Sequence, residues 1–354
     1  MKNQNMPGGQ LMRTKTIFAI MVCCLAFTVL FAFSVAVAAD IEAAKKEGKV
    51  IFYTSMDSKT ANKLGEMFTE KYGIAVDVFR TGTGKVITKI EAELRAKKVL
   101  LDVAQHSDPA TFEIWKTRDL LYKYTPEGVD KFYDFARDPD GYWFAVKSNT
   151  TLIAYNPTLI KGADIPRSWK DIADPKWKDK LCMSNPYYAG SVKMSVSVIL
   201  PIYGWDYYKE IGKNNPYIGS SHSGLRTLCI AGEYPLIAPM NSYHVFQVVY
   251  DKPESPIAVS YPEEGCVFVA GPAAIFEGCA HPNAAELFMD FMCSEEAQRV
   301  FADRAYYPGL KGGYPVGQPR LGDMKLLLPD YGWIIENSEA VITTFDETVR
   351  KFRT

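Results

Sequence analysis

The sequence predicts an α/β protein, and three observations carry that expectation. Short β-rich runs alternate with segments of helical spacing over residues 50–104, and such alternation implies a parallel sheet with right-handed crossovers. Polar residues bunch where each predicted strand hands over to its helix. At 354 residues, 47% hydrophobic and 23% charged, the chain is too apolar for a disordered protein and long enough for two domains at roughly 150 residues each.

The elements follow in order. Val50-Ile51-Phe52-Tyr53-Thr54 reads as a strand, and Ala61, Leu64, Met67 and Phe68 recur at helical spacing until Gly73. Residues 74–79 form a second strand, followed by a helix carrying Ile87, Ile90 and Leu94; residues 99–104 form a third strand. Residues 142–158 read as two strands joined by a polar turn. A second α/β region runs to about residue 260, with Leu200-Pro201-Ile202-Tyr203 and residues 232–239 as landmarks. Val267-Phe268-Val269-Ala270 is a further strand, and residues 283–301 make one strong helix with Leu287, Phe288, Phe291 and Met292 on one face.

Residues 1–39 carry Lys2, Arg13 and Lys15 with no acid, and residues 17–39 carry no charge at all. The basic start, the apolar run and Ala36-Val37-Ala38 ahead of Ala39-Asp40 predict a secretory signal with an A-x-A cleavage site. An uncleaved anchor is the rival reading, because about 20 apolar residues span a bilayer. Cleavage removes three bases from 40 Lys+Arg against 41 Asp+Glu, which takes the formal charge from −1 to −4. That balance disfavours nucleic acid as a partner. An exported protein meets an oxidising compartment, so Cys182, Cys229, Cys266, Cys279 and Cys293 allow up to two disulfides, with Cys266–Cys279 the first candidate.

The polar clusters are Thr54-Ser55-Met56-Asp57, residues 80–85 (Arg80-Thr81-Gly82-Thr83-Gly84-Lys85) and Gln105-His106-Ser107-Asp108. Ligands of open α/β sheets bind beyond the carboxyl ends of strands, where helix N-termini present unpaired N–H groups. Enzyme signatures are absent: there is no G-x-S-x-G, H-E-x-x-H or Rossmann G-x-G-x-x-G. Residues 82–86 only imitate a P-loop, with Val86 where Ser or Thr is required and Phe79 where the first Gly belongs. The expectation is a protein that is not an enzyme and needs no cofactor.

Several segments resemble the bacterial periplasmic solute-binding proteins of ABC importers, in the branch holding ferric-ion-binding, phosphonate-binding and sugar-phosphate-binding proteins. They are Glu47-Gly48-Lys49-Val50-Ile51-Phe52-Tyr53-Thr54, residues 80–85, Pro166-Arg167-Ser168-Trp169-Lys170-Asp171 running on to Pro175-Lys176-Trp177-Lys178, Ala231-Gly232-Glu233-Tyr234-Pro235, Ala270-Gly271-Pro272-Ala273-Ala274-Ile275 and His281-Pro282-Asn283-Ala284-Ala285. The resemblance implies a two-lobed type II periplasmic-binding-protein fold. Each lobe is a mixed sheet flanked by helices, and the ligand cleft between them shuts by hinge closure. The implied division is signal peptide 1–39, lobe 1 over 40–145 and 262–320, lobe 2 over 146–261, and a C-terminal helical segment over 321–354 packing on the lobes. The implied role is a periplasmic monomer that delivers a small anionic solute to an inner-membrane ABC permease.

Ferric-binding relatives hold iron with a His after the first strand, a Glu after the third and two adjacent tyrosines. The resembling positions here are Asp57, Ser107 or Asp108, and the segment Asn241-Ser242-Tyr243-His244. One Tyr remains, so Asp57, Asp108, Tyr243 and His244 make an altered iron set, and no metal is expected in the main reading. The anion-holding turn is better kept, as Tyr188-Ala189-Gly190-Ser191, with Asn241. Thr54, Ser55, Thr81, Gly82, Thr83 and Ser107 complete the expected site, with His222, Arg80 and Lys85 as further donors. Tyr53, Trp143, Tyr187, Tyr188, Tyr243 and Tyr306 are candidates to line it, and a zwitterion with a phosphonate or phosphate head and an amine tail would suit such a mixture. Ferric-ion capture, an exported enzyme and a ligand sensor are the alternatives.

Overall fold

A computed structural model describes residues 39–315 and 317–351; residues 1–38 of the predicted signal peptide lie outside the described residues. After a short helix, Ile41–Glu47, the alternation read from the sequence is present. Strand β1 (Lys49–Thr54) leads to α2 (Ser58–Tyr72), with α1 the preceding Ile41–Glu47; β2 (Ala75–Arg80) leads to α3 (Thr83–Arg95), and β3 (Val103–Gln105) to α4 (Pro109–Thr117). β1 lies between β2 and β3 and is parallel to both. The third strand is shorter than its apolar run. Residues 99–102 instead carry buried Asp102, whose carboxylate accepts the Ile51 N–H at 2.7 Å and the His281 ring at 2.9 Å.

After β4 (Leu121–Tyr122) comes β5 (Phe144–Tyr155), a single strand buried along its whole length. The expected polar turn inside it does not exist. Lys147-Ser148-Asn149-Thr150-Thr151 runs straight because its polar groups find partners in the interior: Asn149 Nδ2 donates to Asn241 Oδ1 at 3.0 Å, and Thr151 pairs with Ser195 at 2.7 Å. The second region repeats the first: β6 (Leu181–Ser184), α5 (Gly190–Lys213), β7 (Tyr217–Gly219), α6 (His222–Ala231), β8 (Leu236–Asn241) and α7 (Ser242–Asp251). Here β6 lies between β7 and β8, parallel to both. Leu200-Pro201-Ile202-Tyr203, a landmark of the sequence, falls within α5 just ahead of a kink at Gly204 (φ 71°). The chain then runs through β9 (Ala258–Ser260) into β10 (Cys266–Phe276).

β5 and β10 join the two halves. β10 pairs antiparallel with β3 at Ala273–Ile275 and with β5 over most of its length, while β5 pairs with β8 at Thr151–Tyr155. The order is therefore β2-β1-β3-β10-β5-β8-β6-β7, a mixed sheet in each lobe with two long strands crossing between them. Phe52, Phe68, Phe288 and Phe291 stack in the first lobe's core, and Trp169, Tyr207, Tyr208 and Leu236 pack in the second's.

Residues 283–301 form two helices, α8 (Pro282–Cys293) and α9 (Glu295–Asp303), rather than one. Ser294 turns extended (φ −69°, ψ 155°) and its hydroxyl caps α9, while Gln298 anchors that helix by donating to the Val146 and Met292 carbonyls. The remaining elements are β11 (Tyr307–Pro308), β12 (Leu326–Leu327) and α10 (Tyr331–Phe345), which seats Ile334, Val341 and Phe345 on the second core. The expected Cys266–Cys279 bridge is absent: all five cysteines named above are free thiols, and burial pushes both the Cys266 and Cys279 thiols up to about 12. No helix among the described residues is long and apolar enough to cross a membrane.

Candidate functional site

Both lobes turn the carboxyl ends of their parallel strands toward one cleft of about 180 Å³. The first wall consists of Ser55 after β1, Arg80, Gly82 and Thr83 between β2 and α3, and Ser107 after β3. The second consists of Tyr188-Ala189-Gly190-Ser191 between β6 and α5, Ser220-Ser221-His222-Ser223 between β7 and α6, and Asn241, Tyr243 and His244 where β8 meets α7. Arg80 is held by its Nε, which donates to the Met56 carbonyl at 2.9 Å, so its terminal nitrogens are left for a ligand.

The helices that start here differ in how their first N–H groups are satisfied. α2 is capped by the Asp57 carboxylate and α6 by the Ser221 hydroxyl. The residues heading α3, α5 and α7 (Gly82, Ala189 and Asn241) make no side-chain cap. Three helix N-termini therefore open onto the cleft with unclaimed N–H groups. Close approach of the walls depends on glycine. A Cβ on Gly190 would lie 2.7 Å from the Ser107 carbonyl oxygen and 2.8 Å from Thr83 Cγ2, and one on Gly84 would lie 2.3 Å from the Tyr187 carbonyl oxygen.

The ionisable groups of the cleft are neutral or cationic. Burial lowers the His222 pKa to about 4, helped by Arg226; both its ring nitrogens lack partners. Burial, with His222 and Arg226 nearby, holds His244 well below its ordinary value. Burial pushes the Tyr243 phenol up to about 12, so it stays a protonated donor. No carboxylate is among the lining residues.

The structure gathers twelve of the expected residues into this cleft: Ser55, Gly82, Thr83, Ser107, Tyr188, Ala189, Gly190, Ser191, His222, Asn241, Tyr243 and His244. Four fall outside it. Thr54 is fully buried, its hydroxyl donating to Gln105 Oε1 at 2.7 Å, and the Thr81 N–H bonds the Thr54 carbonyl. Asp57 caps α2, accepts from the Tyr306 hydroxyl at 3.1 Å and lies 3.6 Å from Arg304. Asp108 is buried in an ion pair with Lys193 at 2.5 Å. The altered iron set thus loses both carboxylates to internal partners. Among the described residues no group of three or more His, Cys, Asp or Glu side chains is placed to hold a metal ion.

Of the expected aromatic lining, Tyr188 and Tyr243 reach the cleft and the others do not. Tyr53 is buried with its hydroxyl on Glu93, Trp143 is buried with its N–H on Glu113, and Tyr306 lies behind Tyr243 at 4.2 Å between ring centroids. Lys85 is solvent-exposed and Tyr187 faces a separate groove beside α10. Sequence reading passed over Ser220, Ser221 and Ser223. Their signal is the one used elsewhere, a polar run between a strand and a helix, but β7 is only three residues long and went unrecognised.

The family model for bacterial extracellular solute-binding proteins matches residues 101–325. Iron uptake protein A1 of Synechocystis sp. is 25% identical over 287 residues, which cover 75% of this chain and 77% of that protein. Among solved structures, iron-bound HitA from Pseudomonas aeruginosa matches with a TM-score of 0.75 at 22% identity, over 85% of this chain and 99% of that one. AfuA from Actinobacillus pleuropneumoniae, with fructose 6-phosphate bound, matches with a TM-score of 0.76 at 21% identity, over 86% and 99%.

Proposed function

The chain belongs to the bacterial extracellular solute-binding proteins, and from that premise we propose that it captures a small organic phosphate or phosphonate between its lobes and delivers it to an ABC permease in the inner membrane. One observation carries the choice of solute. The cleft offers hydroxyls, a guanidinium, a protonated phenol, neutral imidazoles and three uncapped helix N-termini, and its lining holds no carboxylate. Such a surface stabilises an oxyanion by charge-assisted hydrogen bonds and repels no part of it. AfuA, a structural neighbour, holds fructose 6-phosphate, which fits the same chemistry. Gly190 and Gly84 let the walls meet backbone to backbone, so closure of the two lobes would bury the solute.

Ferric ion is the second reading. It is favoured by the iron named for HitA and for iron uptake protein A1, and by Tyr188 and Tyr243, two phenols that line the cleft. Thermal unfolding of the stripped protein separates the two. A ligand at a hundred times its dissociation constant adds about 2.7 kcal/mol. A midpoint raised by sugar phosphates or phosphonates and indifferent to chelator supports the oxyanion reading. A rise with Fe(III)-citrate alone, accompanied by tyrosinate–iron colour, replaces it.

A further inference from the structure

His222, the first residue of α6, lines the cleft from the second wall. It is 4% exposed, and neither of its ring nitrogens has a hydrogen-bond partner among the described residues. The His244 ring lies 5.6 Å away between centroids and packs in turn on Tyr243 at 4.2 Å. Arg226, one turn along α6, donates to the His244 carbonyl at 2.8 Å and so ties α6 to α7. A buried imidazole without partners costs free energy, and none of these packing contacts satisfies its nitrogens.

At neutral pH this imidazole is uncharged, because burial and then Arg226 oppose its protonation. A neutral ring offers one N–H and one lone pair, and the lone pair takes only a partner that brings a proton. An ionised phosphate or phosphonate oxygen brings none. An ammonium brings one, but the charges of Arg226 and Arg80 bear on this histidine pair and no carboxylate lines the cleft to offset them. A hydroxyl brings a proton without a charge, and it can also accept from the ring N–H.

The helix heads divide the cleft in the same way. α3, α5 and α7 open onto it without side-chain caps, whereas the Ser221 hydroxyl accepts the Gly224 N–H at 3.2 Å and closes the start of α6. The anion thus has three open N-termini and the Arg80 guanidinium to bind, and the α6 end is left for an uncharged part of the solute. We propose that His222 determines specificity by accepting a hydrogen bond from a solute hydroxyl, which makes the solute an organic phosphate or phosphonate with a hydroxylated arm. This role rests on the oxyanion reading above and narrows it: an alkyl arm leaves the His222 lone pair unmet, and an aminoalkyl arm brings a cation to it.

The test is calorimetric titration of protein recovered from the periplasm and stripped of solute, with three-carbon phosphates that differ in the arm: glycerol 3-phosphate, propyl phosphate and 3-aminopropyl phosphate. Glycerol 3-phosphate should bind roughly tenfold or more tightly than either of the others. His222→Phe should erase that preference, bringing glycerol 3-phosphate to the affinity of propyl phosphate. Nitrogen-15 spectra of the unaltered protein need no variant: glycerol 3-phosphate should lock the His222 ring in one neutral tautomer, and propyl phosphate should not. Equal affinity for glycerol 3-phosphate and propyl phosphate, a preference for the amine, a hydroxyl preference that survives in His222→Phe, or a His222 ring unmoved by glycerol 3-phosphate overturns the role of His222 and leaves the oxyanion reading standing. Binding of none of the three overturns that role as well; the oxyanion reading itself falls only where Fe(III)-citrate alone raises the unfolding midpoint.

Discussion

Two helices that start at the cleft differ in the residue at their head. α2 is headed by Asp57, whose carboxylate accepts the Thr60 N–H at 3.1 Å, and α5 by Ala189, which offers nothing. In the first, the protein satisfies its own helix dipole; in the second, it leaves the work to whatever enters the cleft. The contrast extends to α3 and α7, whose heads, Gly82 and Asn241, make no side-chain cap either. The uncapped helix heads that line the cleft, Gly82, Ala189 and Asn241, carry no acid.

The strongest way to break this contrast is to make α5 like α2. Ala189→Asp places a carboxylate where the proposed oxyanion binds. Two unit charges about 4 Å apart at an effective dielectric of 20 repel by about 4 kcal/mol, a loss of roughly a thousandfold in affinity. The same carboxylate caps α5 and is worth about 1 kcal/mol to stability. Titration calorimetry with the best solute should thus show binding lost while the unfolding midpoint holds or rises. Retained binding would mean that the α5 N-terminus does not contact the solute.

The acid that heads α4 is expected to matter for stability instead. Asp108 and Lys193 are 3% and 8% exposed, so Asp108→Asn leaves a buried ammonium unpaired and should cost about 3–5 kcal/mol in denaturant unfolding. Removing Lys193 as well, as Lys193→Met, should restore part of the loss, because the unpaired charge is gone. Lys193 and neighbouring groups hold the Asp108 carboxyl below the usual range despite burial. Its contribution is therefore present above the unfolded pKa of about 3.9 and is lost as pH falls through the folded value.

Histidine acts earlier on the same acid limb. Burial lowers His106 to about 3 and His222 to about 4, against about 6.5 in the unfolded chain. The folded state binds fewer protons than the unfolded one, so this stability is complete above pH 6.5 and declines as pH falls toward 4. Calorimetry should find the midpoint level from pH 8 to 6.5 and falling below that. A midpoint that rises on acidification would contradict the neutral, buried histidines.

The guanidinium tests the first wall by itself. Arg80→Gln removes a charged donor worth about 1.5–3 kcal/mol, so affinity should fall ten- to a hundredfold with little change in stability, Arg80 being exposed. Equal loss of stability and affinity would instead make Arg80 a structural residue that serves the Met56 carbonyl.

What could be read from the sequence follows from how local each signal is. The β-α-β-α-β start, the strand-end clusters and the Gly190 turn declare themselves within a few residues. Trp169 and Trp177 marked the family strongly, yet both are buried and bond the Gly265 and Asp171 carbonyls. Their pattern is one of packing and says nothing of the solute. β5 escapes a local reading because Lys147-Ser148-Asn149-Thr150-Thr151 looks like a turn, and only partners distant in sequence, Asn241 and Ser195, make burial tolerable. Asp57 and Asp108 look like site residues in the sequence because their nearness to a strand end is local, whereas their partners, Arg304 and Lys193, lie far along the chain.

Lys85 supplies the smallest expected effect. It lies in the first turn of α3, two residues after cleft-lining Thr83, and in sequence it occupies the lysine position of an imperfect phosphate loop. In the fold its side chain is solvated, and a cation beside the positive end of a helix is slightly unfavourable. Lys85→Ala should therefore leave solute affinity within about twofold and stability within about 0.5 kcal/mol, as for other exposed positions. A tenfold loss of affinity would show that the α3 loop wraps the solute with its lysine. The charge on the first wall would then belong to the loop as a whole rather than to Arg80.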